Sequence, residues 1–269
     1  MEHDIRDEIF SGVNGKIVTA SIIADDGGII ADTGAVKEKA VSLGLSVERV
    51  LTEGTRVKRG DEIARFSGNP KQLAMAEEVI IGIMSKPSGI ATAARRFVKK
   101  AGGRPEIVCG AWKKMPLSQK ESIRRAIAAG GARSRICREP FVYLDKNYIE
   151  MLGGIEEGLK KVTQLNGHVK VVQLKGRYGD IADEAIKSVR YGAGIVFIDT
   201  GKRNDIRRVA GKLRASELRD MVRIAFGGDI RIKDMDELKG LDVDILAIGR
   251  QIVDAPLLDM RMEVIGNGT

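Results

Sequence analysis

The sequence predicts an α/β protein. A small α/β sheet domain is expected over residues 1–105, with 255–269 as a segment able to return to it, and an irregular (β/α) TIM-like barrel over residues 106–254. Three patterns lead there. Strand, turn and helix signals mix over the first hundred residues; from Glu106 short apolar runs alternate with amphipathic stretches; and the last two of those runs end in glycines.

The elements follow in order. GKIVTASIIADDGGIIAD alternates apolar and polar residues and breaks at Asp25-Asp26-Gly27-Gly28, a strand and turn signal. AVKEKAVSLGL reads as a short helix, and VLTEGTRVKRGDEIARFSG carries strand-like runs around Glu53-Gly54 and Arg59-Gly60. From Lys71 to Met84 apolar residues return at helical spacing, which predicts a long helix. Beyond it, EIVCGA, FVYLD, HVKVVQL, GIVFID, VRIAFGG and VDILAIG are strand candidates, separated by helix-like stretches such as SQKESIRRAIAAGG, ADEAIKSVRYGA and RNDIRRVAGKLRA. Strands alternating with helices mean βα units and a parallel sheet, either doubly wound or closed as a barrel.

The ends of the last strands decide for the barrel. In barrel enzymes a phosphate commonly sits at the loops after the last two strands, on backbone N–H groups. Gly227 and Gly228 end one late run, Gly249 ends the next, and Arg250 adds a cation. These four residues are the expected phosphate cradle, although a Gly-Gly pair also suits a plain helix-entry turn.

Composition narrows the function classes. Forty-five Lys and Arg against thirty-seven Asp and Glu give a formal charge of +8, which suits anionic partners. Aromatics are only 4% and acids are interleaved with the basic residues, so nucleic acid is not the expected partner. The longest apolar runs, such as Val79 to Met84, are too short to cross a bilayer, no leader pattern opens the chain, and the expectation is a cytoplasmic protein. Cys109, Cys137, His3 and His168 lack metal-site spacing.

SGIATAARRFV (Ser88 to Val98), AAGGARSR (Ala128 to Arg135), GAGIVFIDT (Gly192 to Thr200), AFGGDI and LAIGRQIVDAPLLDMRMEV together resemble the quinolinate phosphoribosyltransferase (nicotinate-nucleotide pyrophosphorylase) family over nearly the whole chain. The resemblance implies an N-terminal α/β sandwich domain, an irregular barrel and a homodimer or higher homo-oligomer. It also implies transfer of phosphoribosyl from phosphoribosyl pyrophosphate to a pyridine nitrogen, with Mg2+, releasing pyrophosphate and carbon dioxide. Lys113, Arg135 and Asp199 fall on family positions and are the expected catalytic residues, with Asp199 also the expected metal ligand. Lys86 precedes Ser-Gly-Ile-Ala-Thr where the family has an arginine, in a segment that family dimers present to the neighbouring pocket.

The chain departs from the family pattern around the acceptor. Trp112 replaces an arginine, Ser134 a histidine, and the family lysine falls on Asp145, with Lys146 one place away. Val171 to Lys175 lacks the usual carboxylate, Gln173 standing in the strand instead. Two carboxylates are costly to desolvate without charge-assisted partners, so the expected acceptor is a small aromatic ring less anionic than quinolinate, stacked on Trp112. The rival expectation is a homologue that binds a phosphorylated ligand without turning it over, as a sensor or partner subunit.

Overall fold

The computed structural model describes residues 4–267, so His3 lies outside the described residues. The chain divides into two compact units. The first takes Met1–Arg95, Met115–Gly131 and Val253–Thr269, and the second Arg96–Lys114 and Ala132–Ile252. Residues 96–105 thus fall with the barrel and 115–131 with the smaller unit.

The first unit begins with a single turn, α1 (Arg6–Ile9), then β1 (Val18–Ala24), β2 (Gly28–Ile29), α2 (Thr33–Ser42), β3 (Ser46–Val50), β4 (Arg56–Val57), β5 (Glu62–Gly68) and the long α3 (Pro70–Ala101). α4 (Lys120–Ala129) joins it from the middle of the chain. The final strand, Met260–Asn267, lies at the edge of an antiparallel sheet, followed by β1, β5 and β3. β1 turns Val18, Ala20, Ile22 and Ala24 into the core, and Ser21 alone breaks the alternation, buried where its Oγ donates to Glu62. Leu73, Ala76, Ile80 and Met84, spaced three and four apart on α3, pack one stripe into the same core as Ala20, Ile22, Ile63 and Phe66.

The helix predicted over 71–84 therefore runs much farther and takes in Ser-Gly-Ile-Ala-Thr. That segment acts as a packing junction. Ser88 Oγ accepts from Ala31 N at 3.0 Å and Thr92 Oγ1 from Ile29 N at 2.8 Å. Gly89 has room for nothing larger, because a Cβ there would stand 1.9 Å from the Pro256 carbonyl oxygen. Elsewhere in the unit, the buried Asp32 takes two hydrogen bonds from Arg125 at 2.8 and 2.6 Å, which offsets the cost of burying its charge.

The second unit carries β6 (Glu106–Val108), β7 (Phe141–Leu144), α5 (Lys146–Met151), α6 (Ile155–Val162), β8 (Val169–Leu174), α7 (Ile181–Arg190), β9 (Ile195–Ile198), α8 (Arg203–Ala215), β10 (Arg223–Gly227), α9 (Met235–Lys239), β11 (Ile245–Ala247) and α10 (Arg250–Val253). All six apolar runs are strands. They form a parallel sheet in the order β6, β11, β10, β9, β8, β7, and Arg133 extends the β6 edge by a parallel bridge to Val108.

An open sheet would keep its two edges apart, but here one apolar cluster draws Val108, Ile136, Val171, Ile195, Ala225 and Ile245 together, with Phe141 and Tyr143 packed against it. Every strand contributes to that interior, which makes the sheet a barrel whose closure between residues 136 and 141 is irregular. Among the described residues, no helix is long and apolar enough to cross a membrane.

Candidate active site

Parallel pairing puts the carboxyl ends of the six strands on one rim, and register decides which side chains meet there. Leu174 pairs with Ile198, so Lys175 and Asp199, one residue on, stand side by side. Side chains alternate along a strand, so Val171, Gln173 and Lys175 share one face of β8, and Ile195, Phe197 and Asp199 share one face of β9. Val171 and Ile195 belong to the apolar interior. The same columns turn polar toward the rim.

Lys175 Nζ lies 2.8 Å from Asp199 Oδ2 and also donates to the Asp199 carbonyl. Gln173 Nε2 donates to the same Oδ2 at 2.6 Å, while its Oε1 accepts from the Lys146 backbone N–H at 2.9 Å. Asp145 caps α5, accepting from Asn147 N at 2.9 Å and Tyr148 N at 3.0 Å. Gln173, Asp199 and Lys146 are thus brought together, but Lys146 joins through its backbone, with its side chain exposed. Tyr143 packs its ring 6.3 Å from Phe197. Burial holds its phenol well above the ordinary range, helped by the charges of Asp199 and Asp145, so it stays protonated.

The glycines have a packing reason beside the one their spacing suggested. Gly227 faces inward, where a Cβ would meet the Phe197 ring at 2.9 Å and Ala247 Cβ at 3.4 Å. Gly228 has φ 127°, and a Cβ there would meet Gly201 Cα at 2.4 Å and Gly201 N at 2.5 Å. Bare backbone at 227 and 228 is therefore demanded by the packing of β9, β11 and the loop at Gly201. Gly249 is less constrained, with Ala111 Cβ at 3.6 Å. Arg250 pairs with Asp229 at 2.9 Å, so its charge is countered at the rim. Gly228 lines a cavity of about 330 Å³ with Gly201, Arg203, Asp229 and Ile230, which neither Gly227 nor Gly249 lines.

Past β6, a 3-10 turn over Ala111–Lys114 leaves Lys113 exposed. Trp112 Nε1 donates to the Ser134 carbonyl at 2.8 Å, so the half-buried indole is anchored and Ser134 takes part through its backbone. The Arg135 guanidinium stands 5.0 Å from the centre of the Phe141 ring, a cation–π contact at the irregular closure. Lys175, Tyr143 and Gly201 were not singled out in the sequence, although the period-two continuation from Gln173 to Lys175 carried the signal for the first.

Cys109 follows β6 fully buried, and desolvation pushes its thiol up from 9.0 to about 11 against opposing N–H groups of Ala111 and Trp112. An acid with a raised folded pKa keeps its proton when the unfolded chain has lost it. Its contribution to stability is complete below about pH 9 and is lost as pH rises toward about 11. Thermal melts should show Tm falling over that window, with a shallower fall in Cys109→Ala.

A sequence profile described as "Quinolinate phosphoribosyl transferase, N-terminal domain" matches residues 4–88, and one for the C-terminal domain of the same description matches 90–263. The chain belongs to the quinolinate phosphoribosyltransferase family. Its relatives include a probable nicotinate-nucleotide pyrophosphorylase [carboxylating] of Archaeoglobus fulgidus, 27% identical across 93% of this chain and 95% of that one. Another of the same description, from Bacillus subtilis, is 26% identical across 91% and 83%. The fold matches the crystal structure of NadC from Streptococcus pyogenes with a TM-score of 0.84 at 17% identity, over 100% of this chain and 92% of that one.

The family implies magnesium, and the residues present do not fit a protein-held ion. Mg2+ asks for oxygen ligands in near-octahedral order, usually one or two carboxylates with substrate phosphates. Asp199 Oδ2 already takes a hydrogen bond from Gln173 and faces the Lys175 ammonium at 2.8 Å, Gln173 offers an amide, and among the described residues no cluster of three His, Cys, Asp or Glu could hold a metal. Lys86 lies in the first compact unit, where its ammonium donates to the Ala255 carbonyl at 2.6 Å.

Proposed function

We propose that this family member is a phosphoribosyltransferase joining phosphoribosyl pyrophosphate to a pyridine acid at the carboxyl rim of the barrel. The observation that carries the reading is the polar cap formed by Gln173, Lys175 and Asp199 above an otherwise apolar interior. Loss of pyrophosphate leaves a cationic, oxocarbenium-like ribose, and no covalent nucleophile is needed. The protein's part is to orient the ring nitrogen and match the changing charge. In this reading Asp199 accepts from ribose hydroxyls and faces the developing positive charge, Lys175 and Lys113 attract the departing phosphates, and Arg135 faces the acceptor carboxylate. Gly228 and its cavity remain the proposed phosphate seat, with Gly249 and Arg250 at its border. A homodimer is the proposed working unit, to which Lys86 would bring a cation.

The names of the relatives give no support to the expectation that quinolinate is rejected. Quinolinate is therefore the first acceptor to assay. Incubation with phosphoribosyl pyrophosphate, magnesium and a panel of pyridine acids should release pyrophosphate, together with carbon dioxide when quinolinate is the acceptor. Binding of phosphoribosyl pyrophosphate without turnover on any acceptor would overthrow the transferase reading in favour of a sensor.

A further inference from the structure

We infer that Lys175 occupies, on the protein itself, the place of a divalent cation at Asp199, so that magnesium reaches this site only in complex with phosphoribosyl pyrophosphate. The inference rests on the proposed substrate-facing role of Asp199. Lys175 and Asp199 are both partly buried, at 30% and 28% side-chain exposure, so their pairing is shielded from much of the screening that weakens surface pairs. Their contact is imposed by the β8–β9 register rather than by the chance meeting of two long side chains.

Gln173 reinforces the exclusion. The Lys146 N–H needs an acceptor, which turns Gln173 Oε1 toward it and leaves the Nε2 protons facing Asp199 at 2.6 Å. A metal ion at Asp199 Oδ2 would meet an ammonium at 2.8 Å from that oxygen and amide hydrogens where it needs oxygen atoms. The other groups facing this point supply nothing better: Tyr143 keeps its proton, and Asp145 spends Oδ1 on the α5 cap. An ammonium has three donors, one of which falls on the Asp199 carbonyl while its charge faces Oδ2, so Lys175 can turn another to an anionic oxygen of the substrate. The carboxylate is thereby kept from repelling the pyrophosphate before any metal arrives.

The test counts Mn2+ bound to the ligand-free chain by electron paramagnetic resonance, in four proteins: the unmodified chain, Asp199→Asn, Gln173→Glu/Lys175→Met, and the last with Asp199→Asn added. The unmodified chain and Asp199→Asn should bind the same amount of Mn2+. The double variant should gain about one ion per chain, held by the paired carboxylates, and lose it again when Asp199 is replaced. Circular dichroism establishes that each variant is folded, and Lys175→Gln, a milder change, replaces the double variant if that one is not. In Lys175→Gln the expected gain is a rise of about tenfold in Mn2+ affinity that depends on Asp199. Asp199-dependent Mn2+ binding by the unmodified chain would overturn the inference, as would a folded variant that gains none. Neither phosphoribosyl pyrophosphate nor an acceptor is present, so failure here is distinct from failure of the transferase reading, which shows as absent pyrophosphate release.

Discussion

Asp199→Ala should lower kcat/KM for phosphoribosyl pyrophosphate by about a hundredfold to a thousandfold, the range found when one preorganised electrostatic partner of a transition state is removed. The side chain stands at the end of β9 on the inward column above Phe197, and its Oδ2 gathers Lys175 and Gln173. Without it the ribose loses a hydroxyl acceptor and Lys175 loses the contact that aims it. The loss should fall mainly on kcat, because the charge that Asp199 faces develops on the way to the transition state. Asp199→Asn keeps the shape and a hydrogen-bonding oxygen, and should recover part of the ground-state binding but little of the rate. Steady-state release of pyrophosphate separates the two. Activity of Asp199→Ala within about threefold of the unmodified protein would remove this residue from the chemistry.

The second large effect belongs to Gly228→Val, and it should be an effect on the fold before it is one on binding. Its φ of 127° is closed to a β-branched residue, and the first added carbon would overlap the Gly201 backbone at 2.4 Å. Neither chain can yield without moving the loop that follows β9. A cost of about 2 to 4 kcal/mol is expected, which for a chain of this size lowers Tm by roughly 5 to 15 °C. The cavity lined by Gly228 and Gly201 should close with it, and stabilisation by phosphoribosyl pyrophosphate should vanish. Gly249→Ala is the cleaner probe of phosphate binding. Its Cβ would meet Ala111 Cβ at an ordinary 3.6 Å, so the fold should stand, and a selective loss of ligand stabilisation there would report on the cradle alone.

Much of the second unit was legible because each βα unit writes its own signal. The apolar runs of β6 to β11 are short, bounded by turns and separated by amphipathic stretches, and a parallel arrangement is the way such units pack. The extent of α3 was not legible. The apolar spacing predicted a helix only from Lys71 to Met84, whereas α3 runs on through Pro87, and Gly89 is there because the Pro256 carbonyl lies against it. A contact to a residue so distant in sequence leaves no periodic trace.

The candidate site divides along the same line. Local sequence alone determined that Asp199 follows an apolar strand and that two glycines close the β10 run, since each follows from residue identity and nearest neighbours, and the family resemblance added that Gln173 stands where the pattern has an acid. Only the tertiary structure decided what those residues do to one another. The register of β8 on β9 sets Lys175 against Asp199, and the approach of Gly201 explains Gly228. The physical reason is that a strand's own sequence fixes the face on which a side chain lies, whereas its partner is chosen by pairing with another strand more than twenty residues away, through backbone hydrogen bonds that carry no side-chain identity.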